Sequence, residues 1–247
     1  MRRFLVSSLL CTLAALITFA QAPPTQHLYR TTLIQAAPGQ LLPLIEQLKL
    51  RAVAEADAGE PPTWMMRHSQ GDKWDLLLLT PIGSYGDYFA QKRVELREKS
   101  VRDRNALPSL QVRSLIAWQE DVFVYGPPME DVRSAVTGGA FFHVEMFNAL
   151  PAMVPQLRRQ RMMENTYLKH LNRPENLIFT RDMGASWHVY TLGVYRDLKH
   201  YAESADIPAE KQEEAARVAG FQSAAQIGPY LRQLIRSHHD TLATAVR

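Results

Sequence analysis

Cysteine and several familiar catalytic motifs are scarce or missing in this sequence. Its 247 residues include one cysteine, Cys11, so no disulfide can form within the chain. The sequence contains no glycine-rich dinucleotide fingerprint, no phosphate-binding loop, no HExxH motif and no GxSxG nucleophile elbow. These absences leave dinucleotide enzymes, nucleotide enzymes, zincins and α/β-hydrolases without support.

A long uncharged apolar run occurs only at the start of the chain, in residues 4–20. Arg2 and Arg3 precede this run, and it ends in Ala20-Gln21-Ala22. A basic segment, an apolar segment and an A-x-A site are together typical of a secretory signal peptide. We therefore predict a signal peptide in residues 1–22, with cleavage after Ala20 as the alternative because Pro23 would follow the first cut. An uncleaved anchor is disfavoured, since the run is at the short limit for a bilayer of about 30 Å.

Cleavage of this segment would also remove Cys11 and two of the basic residues. The mature chain would then have no thiol, which excludes thiolate metal sites and cysteine nucleophiles. Its formal net charge would fall from +3 to +1, too little to predict a nucleic-acid or anionic-membrane partner. Apolar residues form 46% of the chain and charged residues 21%, which predicts a folded core. We expect a secreted or periplasmic protein without membrane attachment.

One stretch of the sequence occurs twice. Residues 71–79 read GDKWDLLLL and residues 184–192 read GASWHVYTL, each typical of a tight glycine turn followed by a buried strand. Trp187 follows Trp74 by 113 positions, and this offset holds without a gap for about sixty residues upstream. Other identical pairs at the same offset are Ala36 and Ala149, Pro38 and Pro151, Leu44 and Leu157, Gln47 and Gln160, and Pro61 and Pro174. The chain is therefore predicted to contain two copies of one unit.

Each copy is predicted to have the element order β-α-β-β-α-β. In the first copy, strands are predicted at 27–35, 63–68, 74–80 (ended by Pro81) and 121–125, and helices at 38–57 and 87–104. In the second copy, strands are predicted at 141–148, 176–181 and 187–192 and near 234–240, and helices at 151–171 and within 207–222. A six-residue insertion near the last helix changes the offset from 113 to 119. The predicted organisation is a first unit at 23–128, a linker at 129–139 and a second unit at 140–247.

This order is that of the ferredoxin-like unit, a four-stranded antiparallel sheet with helices on one face. The other face must be covered, and the second copy supplies a sheet to cover it. The chain thus resembles the dimeric α+β barrel superfamily, which includes the antibiotic-biosynthesis monooxygenase, stress-response A/B barrel and NIPSNAP families. The resemblance implies an α+β fold in which two units face each other across a central cavity. Because both units lie in one chain, a monomer is expected.

Strand alternation sorts the side chains of residues 141–148 into two rows. The apolar row is predicted to pack on helices, and the row that includes His143 and Glu145 is predicted to face the barrel interior. The apolar row consists of Phe142, Val144 and Met146, and Phe147 completes the other row. Matching positions of the first unit hold Arg30, Thr32 and Ile34. Enclosed titratable groups are costly unless they are paired or bind a ligand, so they are candidates for a site.

We predict His143, Glu145 and His188 as catalytic residues, with a histidine as the base and Glu145 orienting it. The candidates for ligand binding are Arg30, His68, Arg181, Tyr190, His239 and Asp240. Arg181 would hold an anion, and His238 is the alternative to His239 because adjacent strand residues point to opposite faces. By resemblance, the reaction would be cofactor-independent oxygenation or isomerisation of an aromatic or quinone-like small molecule in the central cavity.

Two other functions stay open at this point. The first is a metal or haem site in which His143, Glu145 and His188 supply a 2-His-1-carboxylate set. The second is a scaffold in which the inward polar groups pair only with each other, for example His143 and Glu145 with Arg30 or Arg181. The sequence identifies no particular cofactor and does not decide whether the protein is an enzyme.

Overall fold

The computed structural model describes residues 27–246, so the predicted signal peptide lies outside the described residues. The strands of this range are β1 (His27–Ala36), β2 (Trp64–Gln70), β3 (Leu76–Gly83), β4 (Ile116–Gly126), β5 (Phe141–Ala149), β6 (Leu177–Met183), β7 (Val189–Tyr195) and β8 (Ile235–Ala245). Its α-helices are α1 (Leu41–Asp57), α2 (Tyr85–Tyr88), α3 (Gln91–Asp103), α4 (Ser109–Val112), α5 (Met129–Thr137), α6 (Val154–His170), α7 (Leu198–Ala202), α8 (Ala209–Val218) and α9 (Ile227–Arg232). Between residues 27 and 246, no helix combines the length and apolar character needed to cross a membrane.

The strands form one closed barrel in the order β1-β3-β2-β8-β5-β7-β6-β4, with antiparallel pairing throughout. Within it, β4-β1-β3-β2 is the sheet of the first half and β8-β5-β7-β6 that of the second, each in ferredoxin-like order. The two sheets join where β2 pairs with β8 and where β4 pairs with β6. Closure removes the exposed sheet edges. The predicted fold, two ferredoxin-like units facing each other in one chain, is confirmed.

The register of the strands repeats between the halves. Thr32 on β1 lies opposite Asp121 on β4, and Glu145 on β5 lies opposite Asp240 on β8. Both strand pairs also have an irregularity at matching places, before Ala36 in one and before Ala149 in the other. The offsets of 113 and 119 found in the sequence are therefore offsets between equivalent positions in space.

The barrel interior is filled by large apolar side chains. Thr31 and Tyr190 meet across it, with 3.0 Å between their hydroxyl oxygens. The same buried cluster contains residues from all eight strands, among them Tyr29, Phe142, Val144, Met146 and Phe179, and also Trp74 and Trp187 from the turns before β3 and β7. An eight-stranded barrel is wide enough either for side chains to fill it or for one small ligand. Side chains fill the middle of the interior, and a cavity of about 260 Å³ lies at one end of the barrel between Leu33, Trp74, Met146 and Trp187.

The predicted facing of β5 is wrong. Its apolar row, Phe142, Val144 and Met146, points into the barrel. The row of His143, Glu145 and Phe147 lies on the outer face beneath α6, where Arg161 approaches both Glu145 and Phe147. The physical reason is that the interior takes the row able to lose all contact with water, whereas Glu145 pairs with Arg161 on α6 and His143 with Asp240 on β8.

The predicted end of β3 changes in the structure. β3 does not end at Pro81 but continues to Gly83. Its pairing with β2 stops at Leu79, so the missing N–H of Pro81 costs no hydrogen bond to that neighbour. The segment predicted as a linker contains α5, whose Val132 and Val136 join the interior cluster and cover one end of the barrel.

The duplicated glycine turns lie at the two junctions between the halves. Gly71 has φ +124° and Gly184 has φ +95°, backbone angles that favour glycine. A Cβ at Gly71 would collide with the carbonyl oxygen of Asp240, and one at Gly184 would lie 2.7 Å from that of Asp121. Each turn therefore packs closely against the last strand of the opposite half.

We expect Gly71→Ala to destabilise the protein more than Gly39→Ala. Both glycines have positive φ, but a Cβ at Gly39 would meet no atom within 4 Å. Gly39→Ala should cost the backbone strain alone, about 1–2 kcal/mol. Gly71→Ala should add an overpacking cost of about 1–3 kcal/mol. Urea denaturation monitored by circular dichroism measures both, and equal losses would contradict close packing at the junction.

Candidate functional site

The predicted site residues of β1 and β5 lie between the barrel and the helices that cover it. We call the space between α1 and the first-half sheet the first interface, and that between α6 and the second-half sheet the second interface. Arg30, Thr32 and Asp121 line a cavity in the first interface. His143, Glu145 and Asp240 stand at the equivalent positions of the second. Two related sites with different side chains thus result from the duplication.

In the second interface the structure brings His143, Glu145 and Asp240 together. His143 Nε2 lies 3.4 Å from Asp240 Oδ1. Glu145 Oε2 accepts a hydrogen bond from the Thr191 hydroxyl at 3.0 Å. One ligating atom from each of the three residues lies within 4.8 Å of the other two. Two of the three predicted catalytic residues and one predicted ligand-binding residue therefore form one cluster, on the outside of the barrel.

Arg161 on α6 holds this cluster from the helix side. Its side chain is 2% exposed, and its Nη1 lies 3.4 Å from Glu145 Oε2. Its Nη2 lies 2.5 Å from Glu164 Oε2, and its Nε donates to Gln160 Oε1 at 2.6 Å. The guanidinium also lies 4.6 Å from the Phe147 ring centroid. Such pairing is what a buried cation requires.

Sequence reasoning missed Arg161 and Glu164, although a signal was present. Leu157, Gln160, Arg161 and Glu164 follow helical spacing, so they share one face of the helix predicted at 151–171. Because Leu157 is buried against the sheet, the polar residues on that face had to meet strand residues of matching chemistry.

Charge couples the groups of the second interface. Burial alone would lower the pKa of His143, but the hydrogen bond to Asp240 and the charge of Glu145 raise it above its ordinary value. The hydrogen bond from His143 is also the main reason why the pKa of Asp240 is lowered. Burial raises the pKa of Glu164. The histidine and the aspartate thus favour each other's charged form, and the pair can hold a proton.

The side chains of the two adjacent histidines of β8 point to opposite faces of the strand, as alternation requires. His238 joins the second interface: its Nε2 lies 3.1 Å from Asp240 Oδ2, and its ring stacks on Phe147 with centroids 5.9 Å apart. His239 points instead toward the open end of the barrel, with its Nδ1 3.9 Å from Asp72 Oδ1. Of the two histidines, His238 and not His239 lies with His143 and Glu145.

His188 does not join the predicted catalytic set. Its Nδ1 accepts a hydrogen bond from the Ala149 amide at 3.2 Å, and its own amide donates to the Phe147 carbonyl at 2.8 Å. Phe147 lies four strand residues from His143, a distance on the order of 13 Å. The 2-His-1-carboxylate set of His143, Glu145 and His188 is therefore not assembled.

The other predicted ligand-binding residues are distributed over the barrel. Tyr190 is fully buried in the interior, and burial strongly raises its pKa. His68 packs its ring edge against Trp74, with centroids 5.7 Å apart. Arg181 donates from Nη1 to the Ala185 carbonyl at 2.7 Å. Neither His68, Arg181 nor Tyr190 lines the cavity of the first interface.

The first interface contains a cavity of about 260 Å³ between β1, β3, β4, α1 and α4. Apolar wall residues include Ile34, Leu48, Leu78, Val112 and Ile116. Arg30 lines the cavity, and its Nε is buried without a hydrogen-bond partner among residues 27–246. That nitrogen lies 3.9 Å from Asp121 Oδ1, an oxygen that already accepts from the Thr32 hydroxyl at 2.6 Å. The guanidinium of Arg30 is therefore incompletely paired.

A buried carboxyl lies in the same cavity. The side chain of Glu55 on α1 is 18% exposed, and its ion pair with Arg51 is long, at 3.9 Å. Arg51 instead donates to the Leu107 carbonyl and the Ser109 hydroxyl. Burial raises the pKa of Glu55, and the charges of Arg51 and Arg30 offset this in part. Sequence reasoning missed Glu55, although it lies seven residues after Leu48 on the apolar face of α1.

Neither a protein-family model nor a curated protein matches this sequence. Solved structures do match it over nearly its whole length. An anthrone oxidase-like protein has a TM-score of 0.54 at 10% identity, covering 90% of this chain and 92% of that chain. A candidate monooxygenase from Lactobacillus acidophilus NCFM has a TM-score of 0.53 at 8% identity, covering 90% and 94%. One from Fusobacterium nucleatum has a TM-score of 0.51 at 9% identity, covering 91% and 94%.

At these identities the likeness shows the fold and not the activity. The protein has the dimeric α+β barrel fold, with both halves of the barrel in one polypeptide.

We expect Arg161→Met to destabilise the protein by about 3–5 kcal/mol, because it leaves the carboxylates of Glu145 and Glu164 buried without their cation. The double variant Arg161→Met/Glu164→Gln should recover part of this loss, since one uncompensated charge is gone. Chemical denaturation of both variants measures the difference. A double variant no more stable than the single one would show that Glu164 is not a partner of Arg161.

His188 should make stability depend on pH. Burial and the charges of Arg181 and Arg236 lower its pKa, so its contribution is complete above the unfolded value of about 6.5 and is lost as the pH falls below it. In His188→Gln, the amide oxygen can accept the Ala149 hydrogen bond without titrating. The stability of the wild type relative to this variant should therefore fall between pH 8 and pH 5 in urea denaturation. His239→Gln controls for loss of an imidazole elsewhere, and a constant difference would contradict the prediction.

Proposed function

We propose that this is an exported, monomeric small-molecule-binding barrel protein whose ligand occupies the cavity of the first interface. The observation that carries the proposal is the cavity itself, which combines the buried, unpaired Nε of Arg30 with the weakly paired carboxyl of Glu55. A buried donor without an acceptor costs about 1–3 kcal/mol. A ligand that supplies the acceptor would remove this cost.

The walls of the cavity define the class of ligand. A volume of about 260 Å³ is just below the usual range of about 300–1,000 Å³ for small-molecule sites, which suits a compound of one or two rings. Leu48, Leu78 and Ile116 would contact its apolar face. Arg30 would bind a carboxylate or phenolate oxygen. The ligand is therefore a small aromatic or quinone-like compound with an acidic group.

The same groups support proton abstraction. A carboxyl with a raised pKa beside an apolar cavity is suited to act as a general base near neutral pH. Glu55 would take a proton from a phenolic hydroxyl or from a carbon next to a carbonyl group, and Arg30 would stabilise the resulting anion. Isomerisation and cofactor-independent oxygenation can both begin with this step. The anthrone oxidase-like neighbour and the candidate monooxygenases support including these reactions in the proposal.

Intrachain closure supports the proposed monomeric state, because the second half occupies the place that a second subunit would take. The signal peptide predicted in residues 1–22 supports the proposed export. Sedimentation velocity on the mature protein tests the monomeric state, and an obligate dimer would contradict it. The mass of the N-terminal peptide from exported protein tests cleavage of the signal peptide, and an intact leader would contradict it.

We expect Arg30→Met to weaken binding of 1-hydroxy-2-naphthoate, a two-ring organic anion, by about tenfold or more. A hydrogen bond to a charged group contributes about 1.5–3 kcal/mol, and 1.4 kcal/mol corresponds to tenfold. Isothermal titration calorimetry measures the effect. Arg102→Met, which removes an exposed arginine of α3, is the matched control and should bind like the wild type. Equal affinity of all three proteins would place the ligand elsewhere.

For any compound of this class that is turned over, Glu55→Gln should lower kcat by about 100-fold or more with little change in KM, because it removes the base and keeps the shape. Glu46→Gln, at an exposed position of the same helix, is the control. Unchanged turnover in Glu55→Gln would exclude the carboxyl as the base. The binding proposal would then be tested by the calorimetric titration of Arg30→Met alone.

A further inference from the structure

We propose that the second interface binds a divalent transition-metal ion through His143 Nε2 and carboxylate oxygens of Glu145 and Asp240. This site lies in the half of the barrel opposite the organic-ligand cavity and does not depend on that proposal. It also differs from the metal set considered from sequence, since Asp240 takes the place of His188.

The positions of the three ligating atoms suit one ion. Nitrogen and oxygen ligands bind zinc at about 2.0–2.2 Å in a tetrahedral arrangement, so two ligands of one ion lie no more than about 3.6 Å apart. His143 Nε2 and Asp240 Oδ1, at 3.4 Å, already satisfy this limit. The full set lies within 4.8 Å, so side-chain movements of about 1–1.5 Å would bring all three to one ion.

Neighbouring side chains hold the ligands in orientation. Thr191 donates to Glu145 Oε2, and His238 Nε2 lies 3.1 Å from Asp240 Oδ2. Arg232 Nη1 in turn lies 3.1 Å from His238 Nδ1. Hydrogen-bonded partners of this kind fix ligand geometry in metal sites, and their loss typically costs 10–100-fold in affinity.

The duplication supplies an independent argument. At the position of His143 the first half has Arg30, whose Nε lies 3.9 Å from Asp121, the counterpart of Asp240. At the position of Glu145 it has the neutral Thr32. The second half has thus exchanged a permanent cation for an imidazole and a hydroxyl for a carboxylate. A bound divalent ion would supply the positive charge that Arg30 supplies in the first half.

Arg161 does not fully neutralise the charge of Glu145. Its guanidinium pairs at 2.5 Å with Glu164 and only at 3.4 Å with Glu145, so Glu164 is its main partner. Both described hydrogen bonds of Glu145 are made through Oε2. One imidazole and two carboxylates suit Zn²⁺, Mn²⁺ or Fe²⁺, whereas Mg²⁺ and Ca²⁺ prefer oxygen ligands alone.

The test is isothermal titration of Zn²⁺ into full-length mature protein without a histidine tag, after chelator treatment and removal of the chelator. We expect one Zn²⁺ per chain, and affinity at least about tenfold weaker in each of Glu145→Gln and Asp240→Asn. Asp72→Asn and His239→Gln are matched controls, since these residues form another His–Asp pair 3.9 Å apart at the open end of the barrel. Both should bind Zn²⁺ like the wild type.

A thermal melt with and without Zn²⁺ separates metal binding from folding. The wild type should gain stability from Zn²⁺, and the folded Glu145→Gln and Asp240→Asn variants should gain none. If either variant fails to fold, His238→Ala replaces it, with an expected 10–100-fold loss of affinity. The proposal is overturned if the wild type binds no Zn²⁺, if the ligand variants bind as tightly as the wild type, or if only the control variants lose binding.

Discussion

The closure of the barrel at its two junctions is the constraint on which the rest of the structure depends. At each junction a glycine turn of one half packs on the backbone of an aspartate in the other half, Gly71 on Asp240 and Gly184 on Asp121. The side chains of the same aspartates point outward into the two interfaces, opposite Glu145 and Thr32. Closure of the barrel therefore also fixes the position of one polar group in each candidate site.

Closure decides where chemistry can take place. Eight strands enclose space for their own side chains or for one small ligand, and here the middle of the interior is a core built around Tyr29, Phe179 and Tyr190. Polar residues of the strands then remain on the outer face, where the helices shield them from water. A carboxyl in this layer, such as Glu55 or Glu164, has a raised pKa because of burial and is still close to the surface. The layer between sheet and helices thus combines partial burial, which shifts the pKa of a carboxyl, with access from the surface.

The fold was predictable from the sequence because the repeat is marked by residues with strict backbone roles. The glycine turns and the 113-residue offset located the strands and their order. The facing of β5 was predicted wrongly because a polar central cavity was expected, whereas the interior takes the apolar row of Phe142, Val144 and Met146. His188 was placed on a strand, but β7 begins only at Val189, so alternation did not apply to it. The site was only partly predicted, because the candidates were taken from strands. Arg161 and Glu55 lie on the inner faces of α6 and α1, and the helical spacing that places them there was not used.

One pair of equivalent positions explains why the two interfaces differ. Leu48 on α1 corresponds to Arg161 on α6. The short side chain of Leu48 leaves a cavity beside Arg30, whereas Arg161 extends over Phe147 to Glu145 and fills the corresponding space. The proposed organic ligand therefore lies beside Leu48, and the proposed ion lies beside Arg161. In a homodimer both sites would change together, because each subunit has the same sequence. Fusion of the halves into one chain removes this restriction, so one interface could become a cavity while the other became a packed cluster of His, Glu and Asp.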